Sequence, residues 1–89
     1  MMNKFIISNN IRKLRFHADE MTQQELAYKV GVTRQTIVAI EHAKYSPSLE
    51  LAFRIAWLFG LPLEEVFTCD VKQTQGLKKD KIQYSMDIK

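Results

Sequence analysis

The chain has 89 residues, of which 46% are hydrophobic and 26% charged, and this balance is typical of one small folded domain. Its single cysteine, Cys69, can form neither an internal disulfide nor a structural zinc site by itself, which points to a reducing compartment. The net charge of +3 is unevenly distributed, because residues 1–17 carry +4, residues 18–67 carry −3 and residues 68–89 carry +2.

The elements predicted in chain order are a short N-terminal strand and five helices. Phe5–Ile7 is a β-branched and aromatic run, which favours a strand or a fixed arm. Four helices follow residues that cap helix N-termini well, namely Ser8–Asn10, Thr22, Thr33 and Ser48. A fifth, short helix begins near Leu61–Glu65, with acidic residues in its first turn. The prediction is an all-α fold with at most a small β element.

Each of the central helices has an apolar stripe that we expect to be buried. The members of these stripes are Leu26, Ala27 and Val30 in the second helix, Ile37 and Ile40 in the third, and Leu49, Ala52, Ala56 and Phe59 in the fourth. Gly31 and Gly60 are placed to end the second and fourth helices, because glycine adopts the left-handed conformation without a steric penalty.

The predicted boundaries divide the chain into an arm at 1–7, a domain at 8–67 and a C-terminal strand and tail at 68–89. Val66–Val71 has strand-like composition, and we expect it to pair antiparallel with Phe5–Ile7. Cys69 is expected to be a semi-buried apolar residue. Farther along the tail, Ile82–Tyr84 could pair transiently as a strand.

The segment from Gln23 to His42 carries the most specific pattern. Two helices that cross steeply at a short turn need a small residue at their contact, which Ala27 provides, and a left-handed turn residue, which Gly31 provides. Five interior apolar positions of this geometry are occupied in register by Leu26, Val30, Val32, Ile37 and Ile40. The outward positions at the start of the second helix are polar or small, as in a helix that reads bases in a DNA groove.

With these residues, the chain resembles the Cro/repressor-type (XRE-like) helix-turn-helix regulators of bacteria and phages. The resemblance covers residues 8–67 and is strongest over 22–67, where TRQTI and YSPSLELAFRIA stand out. It implies a five-helix, lambda-repressor-like domain that binds operator DNA as a homodimer and acts as a transcriptional repressor. The pattern departs from the family at residues 17–20 and at Ala43, where relatives often have glycine, and at Val38, where many have a polar residue.

The resemblance also implies roles for individual residues. Base contacts fall on the recognition helix, at Arg34, Gln35, Thr36, Val38 and Ala39, and phosphate contacts fall on Gln23, Thr33, Lys44 and Tyr45. The chemistry agrees, because glutamine pairs with adenine, threonine and valine can contact the thymine methyl, and helix N-termini attract phosphate. Two alternatives stay open: Thr33 could be only a helix cap, and Arg34 could contact a phosphate or remain solvated.

Arg15 and Glu41 resemble an ion pair that is common in the family between the first and third helices. We predict that this pair forms, that it is partly buried, and that it fixes the position of the recognition helix.

A dimer interface is predicted on the outer face of the fourth helix, where Phe53 and Trp57 lie one turn apart, and at Val66 and Phe67. The alternative for the two aromatic residues is packing under the tail of the same chain. A different function also stays open: the basic tail could bind a protein partner, as in an antitoxin-like module.

Other chemistry is not indicated. His17 and His42 are 25 positions apart, Glu64 and Glu65 fit the charge of a helix N-terminus, and there is neither a phosphate-binding loop nor a catalytic triad. No apolar stretch approaches the ~20 residues of a membrane span, and the N-terminus lacks a signal-peptide pattern. We therefore expect a cytoplasmic protein that is no enzyme, holds no cofactor or metal and contacts no membrane.

Overall fold

The computed structural model describes residues 4–72, which form five helices and two strands. The elements are β1 (Lys4–Asn9), α1 (Ile11–His17), α2 (Gln23–Val30), α3 (Arg34–Glu41), α4 (Leu49–Phe59), α5 (Leu63–Val66) and β2 (Phe67–Lys72). The predicted five-helix fold with a small β element is confirmed. The hypotheses about the tail, including a transient strand at Ile82–Tyr84, concern residues outside the described range.

The helices enclose one hydrophobic core. Its members are fully or almost fully buried: Ile11, Leu26, Ala27, Val30, Ile37, Ile40, Leu51, Ile55, Ala56 and Val66. Leu26, Ala27 and Ile37 have no exposed surface, and the apolar stripes predicted for α2 and α3 are confirmed. Burying each of the valine, leucine and isoleucine side chains stabilises the fold by ~1.5–3 kcal/mol relative to leaving it in water.

Three helices begin at the capping residues that the sequence predicted. At α2 the Thr22 hydroxyl accepts a hydrogen bond from the Glu25 N–H (2.9 Å), and the Glu25 carboxylate accepts one from the Thr22 N–H (2.8 Å). The hydroxyls of Thr33 and Ser48 cap α3 and α4 in the same way, each accepting from an N–H three residues later. At α1 the cap differs, because Asn9 from β1 accepts the Ile11 N–H through its side chain (3.1 Å).

The same backbone arrangement ends α2, α3 and α4. An N–H beyond each helix reaches back five residues: Val32 to Ala27 O, Lys44 to Ala39 O and Leu61 to Ala56 O, at 2.9–3.0 Å. The residue before each of these donors is left-handed, and it is Gly31, Ala43 and Gly60 respectively. Ala43 therefore has a conformation (φ 58°) that glycine adopts without steric cost, whereas for alanine it costs ~1–2 kcal/mol.

The buried face of α4 differs from the predicted one. Leu49 is 68% exposed, whereas Leu51 and Ile55 are buried beside the correctly predicted Ala52 and Ala56. The reason is that α4 has apolar residues on two faces, and the core takes the face that contains Leu51 and Ile55. Leu49 lies on the other face, in line with Phe53 and Trp57 at intervals of four residues.

The two terminal strands form an antiparallel ribbon, as the sequence predicted. Phe5 pairs with Val71, Ile7 with Cys69 and Asn9 with Phe67 on one face of the ribbon. Cys69 was expected to be semi-buried, but it is exposed: it pairs with Ile7 farther out along the ribbon than Phe67, which packs against the core.

Candidate nucleic-acid interface

The segment from α2 to α3 forms a helix-turn-helix. Gly31 (φ 82°) turns the chain after α2, and Thr33 starts α3 two residues later. Ala27 has no exposed surface, and its carbonyl accepts the N–H groups of Gly31 and Val32 in the turn, which agrees with the small residue predicted at the crossing. Because Ile37 and Ile40 hold the inner face of α3 in the core, the opposite face is presented to solvent.

The candidate base-contacting residues lie on this outer part of α3. Arg34 and Gln35 are exposed in its first turn, while Thr36, Val38 and Ala39 are half-buried. The Thr36 hydroxyl lies 3.1 Å from that of Thr33, so each can orient the other. The outer face of α3 therefore presents a cation and an amide at its start and small side chains beside them.

The N-terminus of α2 offers hydrogen-bond donors to an anion. Its capping box occupies the N–H groups of Thr22 and Glu25, and within residues 4–72 the N–H groups of Gln23 and Gln24 have no acceptor. Such unsatisfied donors, with the positive end of the helix dipole, attract phosphate. Thr33 caps α3, and because a cap of this kind is compatible with a phosphate contact, both roles considered for Thr33 stay open.

The loop between α3 and α4 presents two more candidates for phosphate contact. Lys44 is exposed directly after the left-handed Ala43, and Tyr45 is 49% exposed. The backbone turn at Ala43 thus places both side chains at the C-terminal end of α3.

The predicted ion pair between Arg15 and Glu41 is present and largely buried. Arg15 donates from Nε to Oε2 (2.7 Å) and from Nη2 to Oε1 (3.1 Å) of Glu41, and from Nη1 to the Met21 carbonyl (2.8 Å). The two side chains are only 13% and 6% exposed. Glu41 Oε1 also accepts a hydrogen bond from Gln23 Nε2 (3.1 Å). The network therefore links α1, the start of α2 and the end of α3.

Two asparagine side chains at the β1–α1 junction also make contacts with α3 and α5. The Asn9 amide donates to the carbonyl of Ile40 (2.9 Å), and Asn10 donates through its side chain to the carbonyl of Glu65 (3.0 Å). These two asparagines, which the sequence suggested only as helix caps, join the β1–α1 junction to α3 and α5.

Arg12 is a further candidate for phosphate contact, beyond the residues predicted from the sequence. An open groove of about 600 Å³ is lined by Arg12, Arg15, Glu20, Thr22, Gln23, Glu41 and His42. Arg12 is exposed and has no carboxylate partner among the described residues, whereas Arg15 is neutralised by Glu41. The sequence did give a signal for it, because residues 1–17 carry four basic and no acidic residues.

Comparison with known proteins agrees with this geometry. The sequence profile of the HTH_3 helix-turn-helix family matches residues 11–66, which run from the start of α1 to the end of α5. The chain belongs to this family. Its members are DNA-binding transcriptional regulators, and the resemblance to Cro/repressor-type regulators is confirmed.

Several curated relatives are similar to this HTH_3 chain. An uncharacterized HTH-type transcriptional regulator of Methanocaldococcus jannaschii is 53% identical over 57 residues, which cover 62% of this chain and 86% of that protein. The uncharacterized HTH-type regulator YgzD of Bacillus subtilis is 43% identical, over 68% of this chain and 91% of its own length. The cryptic phage CTXphi transcriptional repressor RstR of Vibrio cholerae is 32% identical, over 86% of this chain and 68% of its own length.

The predicted interface residues of this HTH_3 domain have different environments. Phe53 and Trp57 are 53% and 81% exposed on the outer face of α4, and Phe67 is half-buried. Val66 was expected at the interface, but it is fully buried in the core, because α5 is a single turn whose last residue faces inward. Val66 therefore stabilises the protomer and offers no exposed surface.

Residues 4–72 contain neither a cluster of metal ligands nor a helix that could span a membrane. No group of three His, Cys, Asp or Glu side chains is clustered there in a way that could hold a metal ion. In the same part of the chain, no helix combines the length and apolar character needed to cross a membrane.

Proposed function

We propose that this chain is a sequence-specific transcriptional repressor that binds its operator as a homodimer and reads the major groove with α3. The observation that carries the proposal is the outer face of α3, where Arg34 and Gln35 are exposed in the first turn. First-turn residues of the second helix are the ones that reach base edges when a helix-turn-helix docks on DNA.

The side chains of α3 favour a combination of polar and methyl contacts. The Gln35 amide can pair with the N6 and N7 atoms of adenine, and Arg34 can pair with guanine or bind a phosphate. Thr36, Val38 and Ala39 offer methyl groups that can pack against thymine. Where many relatives have a polar residue that can form a hydrogen bond with a base, Val38 would make an apolar contact with its base pair.

Phosphate contacts would flank this reading helix on both sides. Arg12, Gln23 and the donors at the start of α2 would form one group, Thr33 lies at the start of α3, and Lys44 and Tyr45 lie after its end. The Glu41 hydrogen bond holds the Gln23 amide at the start of α2, so that the phosphate site and the reading helix keep a fixed relative position. Contacts of this kind set the register of the protein on DNA and contribute affinity for any sequence.

Repression and dimerisation are supported by different observations. The relative RstR, which is similar over most of this chain, is a transcriptional repressor by name. A two-fold operator needs a second domain about 34 Å along the groove, and the exposed Phe53 and Trp57 offer apolar surface for a partner. We infer that repression follows from occupancy of the operator in the cytoplasm, without a cofactor or a catalytic step.

Selection of bound fragments from a random DNA pool tests sequence specificity directly. With the selected operator, Gln35→Ala should weaken binding by ~1–3 kcal/mol and relax the preference at one base position. Lys44→Ala is the matched control, because loss of a phosphate contact should weaken binding to cognate and random DNA alike. A Gln35→Ala variant that loses affinity equally for both kinds of DNA would remove Gln35 from base recognition.

A further inference from the structure

The side chain of Asn9, the last residue of β1, uses both ends of its amide. Its Oδ1 atom accepts the N–H of Ile11 at the start of α1 (3.1 Å), and its Nδ2 atom donates to the carbonyl of Ile40 in the last turn of α3 (2.9 Å). A flipped amide would place a donor against the Ile11 N–H and an acceptor against the Ile40 carbonyl, so these partners fix the orientation. One side chain thus joins β1, α1 and α3.

Asn9 lies where α3 ends and the loop before α4 begins. It is half-buried, it pairs with Phe67 across the ribbon, and it lines a small cavity of about 20 Å³ together with Ala43 and Tyr45 of that loop. Phe67 packs against the core, and the Ile40 side chain belongs to the core. Both partners of the hydrogen bond are therefore attached to packed parts of the domain, and shielding from water strengthens such a bond.

Within residues 4–72, three side chains from other helices and strands donate hydrogen bonds to α3, and all of them reach its last turn. The donors are Arg15 of α1, Gln23 of α2 and Asn9 of β1. The first two bind the Glu41 carboxylate, which is joined to the helix through rotatable bonds, whereas Asn9 binds the backbone carbonyl of Ile40. Asn9 therefore constrains the C-terminal end of α3 more directly than the other two donors do.

The position of the last turn of α3 determines where its first turn lies. α3 has eight residues and is ~12 Å long, so a tilt of ~10° about its C-terminal end moves its first turn by ~2 Å. Hydrogen bonds to base edges tolerate only ~0.5 Å of variation in donor–acceptor distance. A tilt of this size would take Arg34 and Gln35 out of alignment with the bases, whereas a flexible lysine such as Lys44 would still reach a phosphate.

We propose that Asn9 is a positioning residue for DNA recognition, whose amide sets the tilt of α3 and thereby the discrimination between the operator and other sequences. The proposal rests on the proposed function, because it requires that α3 read bases. Asn9 acts through the Ile40 carbonyl and contacts no base itself. Loss of its donor should therefore lower the affinity for the operator more than the affinity for random DNA.

Serine substitutions at two neighbouring asparagines provide a matched pair without any change of charge. Asn9→Ser keeps a hydroxyl that can accept the Ile11 N–H but is too short to reach Ile40, and Asn10→Ser removes the analogous bond to the Glu65 carbonyl of α5. The quantity measured is the ratio of the Kd for random DNA to the Kd for the selected operator, at equal folded fraction by circular dichroism. This ratio should fall about fivefold or more in Asn9→Ser and less than about twofold in Asn10→Ser.

Asn9→Asp is a second variant with an intact cap on α1. Its carboxylate still accepts the Ile11 N–H, but it has no donor for the Ile40 carbonyl at neutral pH. The added negative charge weakens binding to all DNA alike, so the ratio of the two Kd values again isolates the effect on recognition. The ratio should fall at least as far as in Asn9→Ser.

The outcomes separate this proposal from the proposed function. If both Asn9 variants keep the ratio of the parent, the positioning role is overturned and base reading by α3 is unaffected. A fall that Asn10→Ser shares equally, or that occurs only together with a changed oligomeric state in sedimentation, also overturns the role, because the effect is then not specific to the bond with Ile40. A parent that prefers no DNA sequence refutes the proposed function itself, and the positioning role is refuted with it.

Discussion

Replacing Arg15 with methionine tests whether the buried ion pair fixes the recognition helix. In the parent, Arg15 gives Glu41 two hydrogen bonds and gives the Met21 carbonyl a third. Methionine retains much of the aliphatic volume but none of these donors. The Glu41 side chain, 6% exposed, would then keep only the hydrogen bond from Gln23.

The expected loss of stability is large for so small a domain. Leaving one charge of a buried pair without its partner costs ~3–5 kcal/mol. The total free energy of unfolding of a globular domain is ~5–15 kcal/mol and is lowest in small domains, so a large part of the stability is at risk. With a dependence on urea of ~1 kcal/mol per molar, the midpoint of unfolding should fall by ~3 M or more.

Urea unfolding followed by far-ultraviolet circular dichroism measures this loss. The double variant Arg15→Met/Glu41→Met should recover most of the stability, because it removes the isolated charge. Glu50→Gln is a suitable control: it removes the exposed pair with Arg54, and it should cost no more than ~0.5 kcal/mol. If Arg15→Met unfolds within 1 kcal/mol of the parent, the structural role of the pair is refuted.

Three further changes have expected outcomes. Ala43→Gly should raise the free energy of unfolding by ~0.5–1 kcal/mol in urea titrations, because relief of left-handed strain exceeds the added entropy of the unfolded chain. Ala27→Leu should destabilise the domain by ~1–3 kcal/mol in the same titrations, since Ala27 has no exposed surface and a larger side chain would overpack the core. Arg12→Gln should reduce the slope of log K for DNA binding against log salt concentration by ~0.9. Lys29→Gln, at the end of α2 far from Gln23, should leave this slope unchanged. An unaltered slope in Arg12→Gln would exclude that phosphate contact.

Much of the helix-turn-helix could be predicted because local interactions specify it. The capping box of Thr22 and Glu25 and the left-handed Gly31 involve residues within one or two turns of each other. Their side chains determine where α2 begins and ends, whatever the rest of the chain does. Ala27 was predictable for a related reason, since the steep crossing that follows such a turn accepts only a small residue.

The environments of other residues depend on tertiary packing and could not be predicted from a local pattern. Val66 begins a strand-like run in the sequence, yet it forms the last residue of the single turn of α5 and lies in the core. Cys69 is exposed in a ribbon of two strands, whereas Phe67, two residues earlier in β2, packs against the core. The basic character of residues 1–17 does not distinguish Arg12 from its basic neighbours, and it is the fold that places Arg12 in the same groove as Gln23.

α4 has two apolar stripes, which explains why its buried face was predicted wrongly and also why we propose an interface on it. A helix of a monomer usually has one apolar stripe, and its period then identifies the buried side. In α4 both Leu51–Ile55 and Leu49–Phe53 lie at helical spacing, so the period alone could not assign the core. The core encloses Leu51 and Ile55 and leaves Leu49 68% exposed. An apolar stripe that the core does not use is costly to leave in water, and this is the physical reason to expect a partner on the outer face of α4.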